Sequence, residues 1–175
     1  MSKPIRFILL LAAILLLTTC LTSYAYGDGR AGDGTIRVAA AAPVKAPSAT
    51  LFGRAISGVT PGDLFYIDAA GNANDIAVTL YLTNANELIH YLRYLILEVG
   101  IYFESSDGQW QKVSLPDGNP ASLTFITLRN GLVSFTLAGY VKYKVTIDAG
   151  SFYCLPVNAN GDNPSPQFYL TVESV

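Results

Sequence analysis

The residues of this 175-residue chain that could do acid–base or nucleophilic chemistry are few. His90 is the single histidine and lies in an apolar stretch, so a Ser-His-Asp triad or a histidine-based metal site would depend on it alone. Glu98 and Glu104 share one face of a predicted strand, about 20 Å apart, whereas the carboxylate pairs of glycosidases lie about 5–10 Å apart. We therefore interpret His90 as structural and expect no enzymatic activity.

Thiol chemistry is equally sparse. The chain has two cysteines, and Cys20 lies in a leader that we expect to be removed. Cys154 lies in an apolar run, residues 151–155, which predicts a buried and inert thiol; a disulfide to another chain is the alternative. One thiol and one imidazole exclude zinc and copper sites of the usual kinds.

Calcium needs only oxygen ligands, and three loops offer them: 68–75, 117–119 and 158–163. The best candidate ligands are Asn158, Asn160 and Asp162 in the last of these loops. The spacing does not match the Asp-x-Asp-x-Asp-Gly pattern of calcium loops, and Asn, Asp and Gly are also the residues that turns require. These three residues are the candidate metal ligands, and we expect no other cofactor.

Aromatic residues are the remaining chemical feature, with 11 tyrosines and one tryptophan in the chain. Aromatic side chains on the outer face of a sheet can stack against sugar rings, as in carbohydrate-binding modules, or bury themselves against a neighbouring subunit. If the chain binds a glycan, the predicted platform consists of Tyr81, Tyr102, Trp110 and Tyr153.

Charge and composition exclude two classes of partner. The net charge is −2, and it falls to near −4 when Lys3 and Arg6 leave with the leader. No basic stripe exists, so nucleic acid and anionic membrane surfaces are not expected partners. Only 14% of the residues are charged and 51% are hydrophobic. A chain with so few charged residues either buries much of its surface against neighbouring subunits, or it is a sandwich whose outer faces carry the uncharged residues Thr, Ser, Asn and Tyr.

Residues 1–25 have the pattern of a secretory signal peptide. A short basic start precedes an apolar run from Phe7 to Leu17, and Ser23 and Ala25 provide a Ser-x-Ala site. The run is shorter than the ~20 residues that span a bilayer, so we expect no stable membrane span and a secreted, cell-surface protein. Cleavage after Ala25 is the prediction; lipidation at Cys20 is the alternative, although Thr19 is unusual just before a lipidated cysteine.

The elements that must position these side chains are predicted to be strands. Residues 49–175 alternate short apolar runs with turn signals, and residues 76–82 show a clear period of two. Asn130-Gly131 predicts a hairpin between the runs 121–128 and 132–137. A short helix around 86–93 is an alternative within the run 88–104. We predict an all-β immunoglobulin-like antiparallel sandwich, with a jelly roll as the alternative.

The segment 26–48 is predicted to be a glycine-rich tether followed by an isolated strand. Residues 26–34 hold four glycines, residues 35–44 alternate, and residues 45–48 break the pattern. Either this strand folds into its own domain, or it is a donor strand that completes the sheet of another subunit. The donor residues would be Ile36, Val38, Ala40, Ala42 and Val44.

The order of segments in this chain resembles that of donor-strand pilins and of biofilm-fibre proteins related to TasA and camelysin. The segments are a cleaved leader, a tether, an isolated strand and a sandwich. The resemblance implies head-to-tail self-assembly, because a donated strand makes a contact that does not close on itself. We therefore predict a secreted structural subunit of an extracellular filament or pilus. The alternative is a monomeric carbohydrate-binding or adhesion module.

Overall fold

The computed structural model describes residues 23–24, 26–32, 34–41, 45–46, 62–113, 124–155 and 165–175. Most of this part of the chain is strand, with a single turn of helix. The strands are β1 (Ser23–Tyr24), β2 (Tyr26–Ala31), β3 (Arg37–Ala40), β4 (Lys45–Ala46), β5 (Gly62–Asp68), β6 (Ile76–Leu82), β7 (Leu92–Glu104), β8 (Trp110–Lys112), β9 (Phe125–Thr127), β10 (Leu132–Leu137), β11 (Lys142–Cys154) and β12 (Gln167–Ser174), and the helix is α1 (Ala85–Leu88).

Two sheets form the sandwich. The four-stranded sheet has the order β10-β6-β12-β2, and the larger sheet has the order β3-β5-β11-β7-β8 with β9 also paired to β7. Strands β1 and β4 form a separate two-stranded pair. Pairing is antiparallel throughout except between β12 and β2, which run parallel. The predicted all-β antiparallel sandwich is thus confirmed.

The alternation in the sequence produces the core directly. In β6 the residues 76, 78, 80 and 82 are buried while those between them are partly exposed, so one face of the strand points into the sandwich. The same alternation holds in β10 and β12. Phe65, Val145 and Phe152 of the larger sheet meet this layer and are at most 1% exposed.

The predicted Asn130-Gly131 hairpin is wrong. β9 pairs with β7 in the larger sheet, whereas β10 pairs with β6 in the other sheet, so the connection crosses from one sheet to the other. The hydroxyl of Thr127 accepts hydrogen bonds from the backbone N–H groups of Arg129 (3.2 Å) and Asn130 (2.9 Å), which bends the chain as soon as β9 ends. The carbonyl of Gly131 then accepts from the N–H of Leu82, the last residue of β6.

The ambiguous run 88–104 contains both alternatives. α1 is a single turn that ends at Leu88, whose side chain is fully buried, and β7 begins at Leu92. Leu95, Leu97, Val99 and Ile101 face the core, as the strand interpretation predicts. A shift of register against β11 between Tyr153 and Cys154 separates Leu92 from this series.

Asn72 fixes one end of the sandwich. Its side chain is 4% exposed, donates to the carbonyl of Asn74 (2.7 Å) and accepts from the hydroxyl of Ser174 (3.1 Å). Its backbone carbonyl accepts from the N–H of Tyr140, which has a positive φ of 60°. Gly139 lies against the carbonyls of Asn72 and Asn74 so closely that a Cβ atom would collide with both. This loop therefore ties β12 to the β10–β11 connection.

Several predictions fall on residues outside those described. They are the apolar run of the leader, its cleavage site Ala25 and Cys20, the donor residues Ala42 and Val44, the side chain of Cys154, and the candidate calcium ligands Asn158, Asn160 and Asp162. In the described part of the chain, no helix has the length and apolar character needed to cross a membrane.

Candidate functional site

The outer face of the larger sheet carries rows of polar and aromatic side chains held in register. Tyr66 of β5 lies opposite Lys144 of β11, and Lys144 lies opposite Tyr102 of β7. Tyr102 in turn lies opposite Lys112 of β8. Because each residue faces outward from its own strand, the pairing places these four side chains in one line across the sheet.

Three aromatic residues and one lysine lie together on this face, and we call Tyr66, Tyr102, Trp110 and Lys144 the aromatic cluster. The rings of Tyr66 and Trp110 lie 6.1 Å apart at an angle of 51°. The Nζ atom of Lys144 lies 5.3 Å from the ring centres of both Tyr102 and Trp110. These are cation–π distances, so the lysine holds the two rings in place from one side.

Asp63 completes the cluster from β5. Its carboxylate accepts hydrogen bonds from Nζ of Lys144 at 3.1 Å and from the hydroxyl of Tyr66 at 2.6 Å. The hydrogen bond to Asp63 and burial both raise the pKa of the Tyr66 phenol. The phenol therefore stays protonated at neutral pH and keeps its orientation.

A groove runs beside the aromatic cluster. It has a volume of about 370 Å³, and Tyr66 and Trp110 form part of its wall. Four charged side chains of alternating sign complete the lining: Arg37, Asp68, Lys142 and Glu104. Lys142 and Glu104 form an ion pair at 3.3 Å, and Arg37 lies opposite Asp68 in the β3–β5 pairing.

Asp148 ties the strand that carries Trp110 to the rest of the sheet. A register shift in β11 between Ile147 and Ala149 leaves Asp148 unpaired there, and its carboxylate lies above Gly100 of β7. A Cβ atom at position 100 would collide with this carboxylate. Asp148 accepts from Lys112 of β8 at 2.6 Å and from the hydroxyl of Tyr102 at 3.1 Å. The bond therefore spans β7 and anchors the three-residue edge strand β8.

The contacts within this network shift the pKa values of Asp148, Lys112 and Tyr102. Burial alone would raise the pKa of Asp148, but hydrogen bonds from Lys112 and Thr146 outweigh burial and hold the pKa below its usual value. The hydrogen bond to Asp148 raises the pKa of Lys112. Burial, with the hydrogen bond to Asp148, raises the pKa of Tyr102. Each shift moves away from neutral pH, so Asp148 and Lys112 stay charged and Tyr102 stays protonated at neutral pH.

The four aromatic residues predicted from the sequence do not form one platform. Tyr102 and Trp110 come together in the aromatic cluster. Tyr81 lies on the opposite sheet, where its ring is 6.3 Å from that of Tyr169. Tyr153 lies near the far end of β11, 6.3 Å from Tyr94. Each pair is therefore a separate surface feature.

Tyr66 and Lys144, which complete the cluster, were missed by sequence reasoning. The outward position of each follows from the alternation in its own strand. Their contact depends on the pairing of β5 with β11, two strands 74 residues or more apart in the chain, which no local pattern reveals.

The candidate donor strand pairs within its own chain in this structure. Val38 and Ala40 of β3 lie opposite Ile67 and Phe65 of β5, and Ile36, just before β3, is 2% exposed. This is the pairing of a strand that folds into its own domain, which is one of the two alternatives stated from the sequence.

The last two predicted features are the metal site and the histidine. Among the described residues, no three His, Cys, Asp or Glu side chains are close enough together to hold a metal ion. His90 is exposed in the turn after α1, where its backbone N–H donates to the carbonyl of Glu87.

Comparisons with known proteins give no family. No family model and no curated protein matches the chain. Among solved structures, the chain is weakly similar to a pectin-binding carbohydrate-binding module, with 14% identity over 65% of this chain and 76% of that one and a TM-score of 0.21. A second weak match is a family 16 carbohydrate-binding module, with 10% identity over 65% and 73% of the two chains and a TM-score of 0.18. Likeness at this level carries no argument about function.

Proposed function

We propose that this chain is a non-enzymatic carbohydrate-binding module whose ligand lies in the groove beside the aromatic cluster. The observation that carries the proposal is the position of the Tyr66–Trp110 pair, 6.1 Å apart, in the wall of a groove with charged groups of both signs. Sugar rings have an apolar face and a rim of hydroxyls, and this lining offers a partner for each. Burial of about 50 Å² of apolar surface on one ring would contribute roughly 1 kcal/mol.

The charges in the groove favour an uncharged glycan. Arg37 and Lys142 are balanced by Asp68 and Glu104, so the lining has no net charge that would attract an acidic or a basic sugar. Each hydroxyl of a neutral sugar can donate to a carboxylate and accept from a cation at the same time. Lys142 and Glu104 form an ion pair at 3.3 Å and both stay partly exposed, so each can contact a sugar hydroxyl.

The test is calorimetric titration with a panel of neutral and uronic-acid oligosaccharides. We expect neutral oligosaccharides to bind in the micromolar to millimolar range, and Trp110→Ala or Tyr66→Ala to weaken binding about tenfold. Because the chain has a single tryptophan, a change in its fluorescence on titration of the unmodified protein would place the ligand beside Trp110. Tyr153→Ala is the matched control, since Tyr153 does not line the groove and its ring lies beside Tyr94, at the end of β11 that is away from Lys142. The proposal fails if no neutral glycan binds, or if Trp110→Ala binds as tightly as the unmodified protein.

A second candidate function is assembly of a secreted filament through the N-terminal segment. β2 forms an edge of the four-stranded sheet and β3 forms an edge of the larger sheet, so residues 26–40 supply an outer strand to both. The same pairs could form with the segment of a neighbouring copy, because exchange of an identical element preserves every contact. Such an exchange requires export and removal of the leader, and β1, which precedes the predicted cleavage site, would leave with it.

Electron microscopy of the secreted protein, with and without residues 26–45, separates the two candidates. A filament subunit gives polymers that disappear when the segment is deleted. Polymers that persist in the shortened protein would rule out strand donation, and a monodisperse glycan-binding protein would favour the first candidate.

A further inference from the structure

The connection between β9 and β10 places an asparagine directly before a glycine. Asn130 is exposed, and its side-chain amide makes no hydrogen bond to the described part of the chain. The carbonyl carbon of an asparagine side chain is an electrophile, and the nearest backbone nucleophile is the nitrogen of the next residue. When that residue is a glycine, no Cβ atom obstructs the approach. Asn130 and Gly131 therefore hold the two partners of an intramolecular reaction.

The backbone nitrogen of Gly131 is free to react. Its N–H donates no hydrogen bond to any described residue, although its carbonyl accepts from the N–H of Leu82 at 2.7 Å. The backbone of Asn130 is tied to Thr127, whose hydroxyl accepts from the Asn130 N–H and whose own N–H donates to the Asn130 carbonyl, both at 2.9 Å. An attack by the Gly131 nitrogen on the Asn130 side chain therefore breaks no hydrogen bond made by that nitrogen.

The turn at Asp107 shows the opposite arrangement. Asp107 also precedes a glycine, but the N–H of Gly108 donates to the carbonyl of Ser105 at 2.8 Å. The Asp107 carboxylate accepts from the hydroxyl of Ser105 and from the N–H of Gln109. Both potential reactants are therefore occupied in that turn, and a carboxylate is in any case a poorer electrophile than an amide.

The fold does not require a glycine at position 131. Neither Asn130 nor Gly131 has a positive φ, so the backbone there is open to any residue type. A Cβ atom on residue 131 would lie 3.5 Å from the carbonyl oxygen of Leu82 and 4.0 Å from the Cβ atom of Ala85, which are ordinary contacts. Alanine therefore fits at this position, and it would obstruct the reaction without disturbing the fold.

We propose that Asn130 is a site of spontaneous deamidation. The Gly131 nitrogen forms a bond to the side-chain carbonyl carbon of Asn130, and the side-chain nitrogen leaves as ammonia with the proton that the Gly131 nitrogen has lost. Water then opens the resulting succinimide ring by breaking one of its two carbon–nitrogen bonds. One product is aspartate, and the other is isoaspartate, in which the main chain runs through the former side chain. Because no ligand takes part, the reaction is independent of the proposed carbohydrate site.

Isoaspartate at this position would loosen the crossover between the two sheets. The main chain gains a methylene group, and the carbonyl that accepts from the Thr127 N–H becomes part of a free carboxylate. The hydrogen bond from Leu82 to the Gly131 carbonyl lies on the other side of the new linkage, at the point where the edge strand β10 joins β6. We therefore expect the isoaspartyl protein to melt a few degrees below the parent chain.

Incubation of the folded protein for several days near neutral pH, followed by lysine-specific cleavage and mass spectrometry, tests the proposal. The sequence places Asn130 in the peptide 113–142, whose other asparagine precedes Pro120 and so meets no N–H. The peptide 46–112 supplies the reference, because its four asparagines precede Ala, Asp or Glu. Asn160, which also precedes a glycine, falls in the separate peptide 145–175. We expect the acid form of Asn130 to accumulate about tenfold faster than that of the reference asparagines, as two separable isomers.

Gly131→Ala is the matched variant, because it keeps the asparagine and obstructs the attacking nitrogen. We expect it to slow the conversion of Asn130 about tenfold while melting within about 2 °C of the parent chain. The proposal is overturned if Asn130 converts no faster than the reference asparagines, or if the folded Gly131→Ala protein converts at the rate of the parent chain. A converted protein that melts together with the parent chain would overturn the proposed effect on the crossover.

Discussion

Replacement of Asp148 by alanine should destabilise the protein by about 2–3 kcal/mol. The carboxylate accepts from Lys112, Tyr102 and Thr146, and its own side chain is only 16% exposed. Two hydroxyl hydrogen bonds contribute about 1 kcal/mol each. The ion pair contributes less than about 1 kcal/mol, because the Lys112 side chain is 50% exposed and solvent screens it.

Urea unfolding measures this loss. For a domain of this size a loss of 2–3 kcal/mol lowers the midpoint by about 1 M. Gly100→Ala should act in the same direction without removing any polar group, because its Cβ would occupy the place of the Asp148 carboxylate. Asp75→Asn, which changes an exposed carboxylate, should stay within about 0.5 kcal/mol of the unmodified protein.

The dependence on pH gives an independent check. The pKa of Asp148 is lowered in the folded protein, so its stabilising contribution is complete above the unfolded pKa of about 3.9 and is lost as the pH falls through the lower folded value. The difference between the unmodified protein and Asp148→Ala should therefore be constant from about pH 6 to 8 and shrink below about pH 4. The reasoning is refuted if both Asp148→Ala and Gly100→Ala unfold at the midpoint of the unmodified protein.

Three further predictions concern other parts of the chain. Gly139→Ala should lower the melting temperature by several degrees, because the new Cβ would collide with the carbonyls of Asn72 and Asn74; unchanged melting would contradict the close approach. Ile36→Ala should cost about 2–4 kcal/mol in urea unfolding if β3 folds into its own chain, and much less if this segment is not part of the folded monomer. Mass spectrometry of the exported protein should give a chain that begins at Tyr26, whereas a lipid on Cys20 would show a different mass and contradict cleavage after Ala25.

Local alternation was sufficient to predict much of the fold. The period of two in β6 and β11 and the Ser105–Gly108 turn before β8 are properties of neighbouring residues, and the structure follows them. The Asn130-Gly131 connection shows the limit of such reasoning. A turn signal says that the chain bends, but the choice between pairing the two flanking strands and sending them to different sheets depends on partners far along the chain.

The residues of the candidate site also fall into those that local sequence predicts and those that depend on distant strand pairing. Tyr102 and Trp110 could be placed together because one short hairpin joins β7 and β8. Tyr66 could not be added, because β5 reaches the cluster only through its pairing with β11. Tyr81 lies on the other sheet, which the sequence does not reveal, because alternation tells which side of its strand a residue occupies but not to which sheet the strand belongs.

The position of β12 also has a consequence for how the protein comes to be folded. β12 lies between β6 and β2, and its pairs join Phe168 to Leu82 and Gln167 to Tyr26. β2 therefore cannot join the four-stranded sheet until residues 167–174 have been synthesised, because β12 lies between β2 and β6. Contacts of such large sequence separation make folding slow.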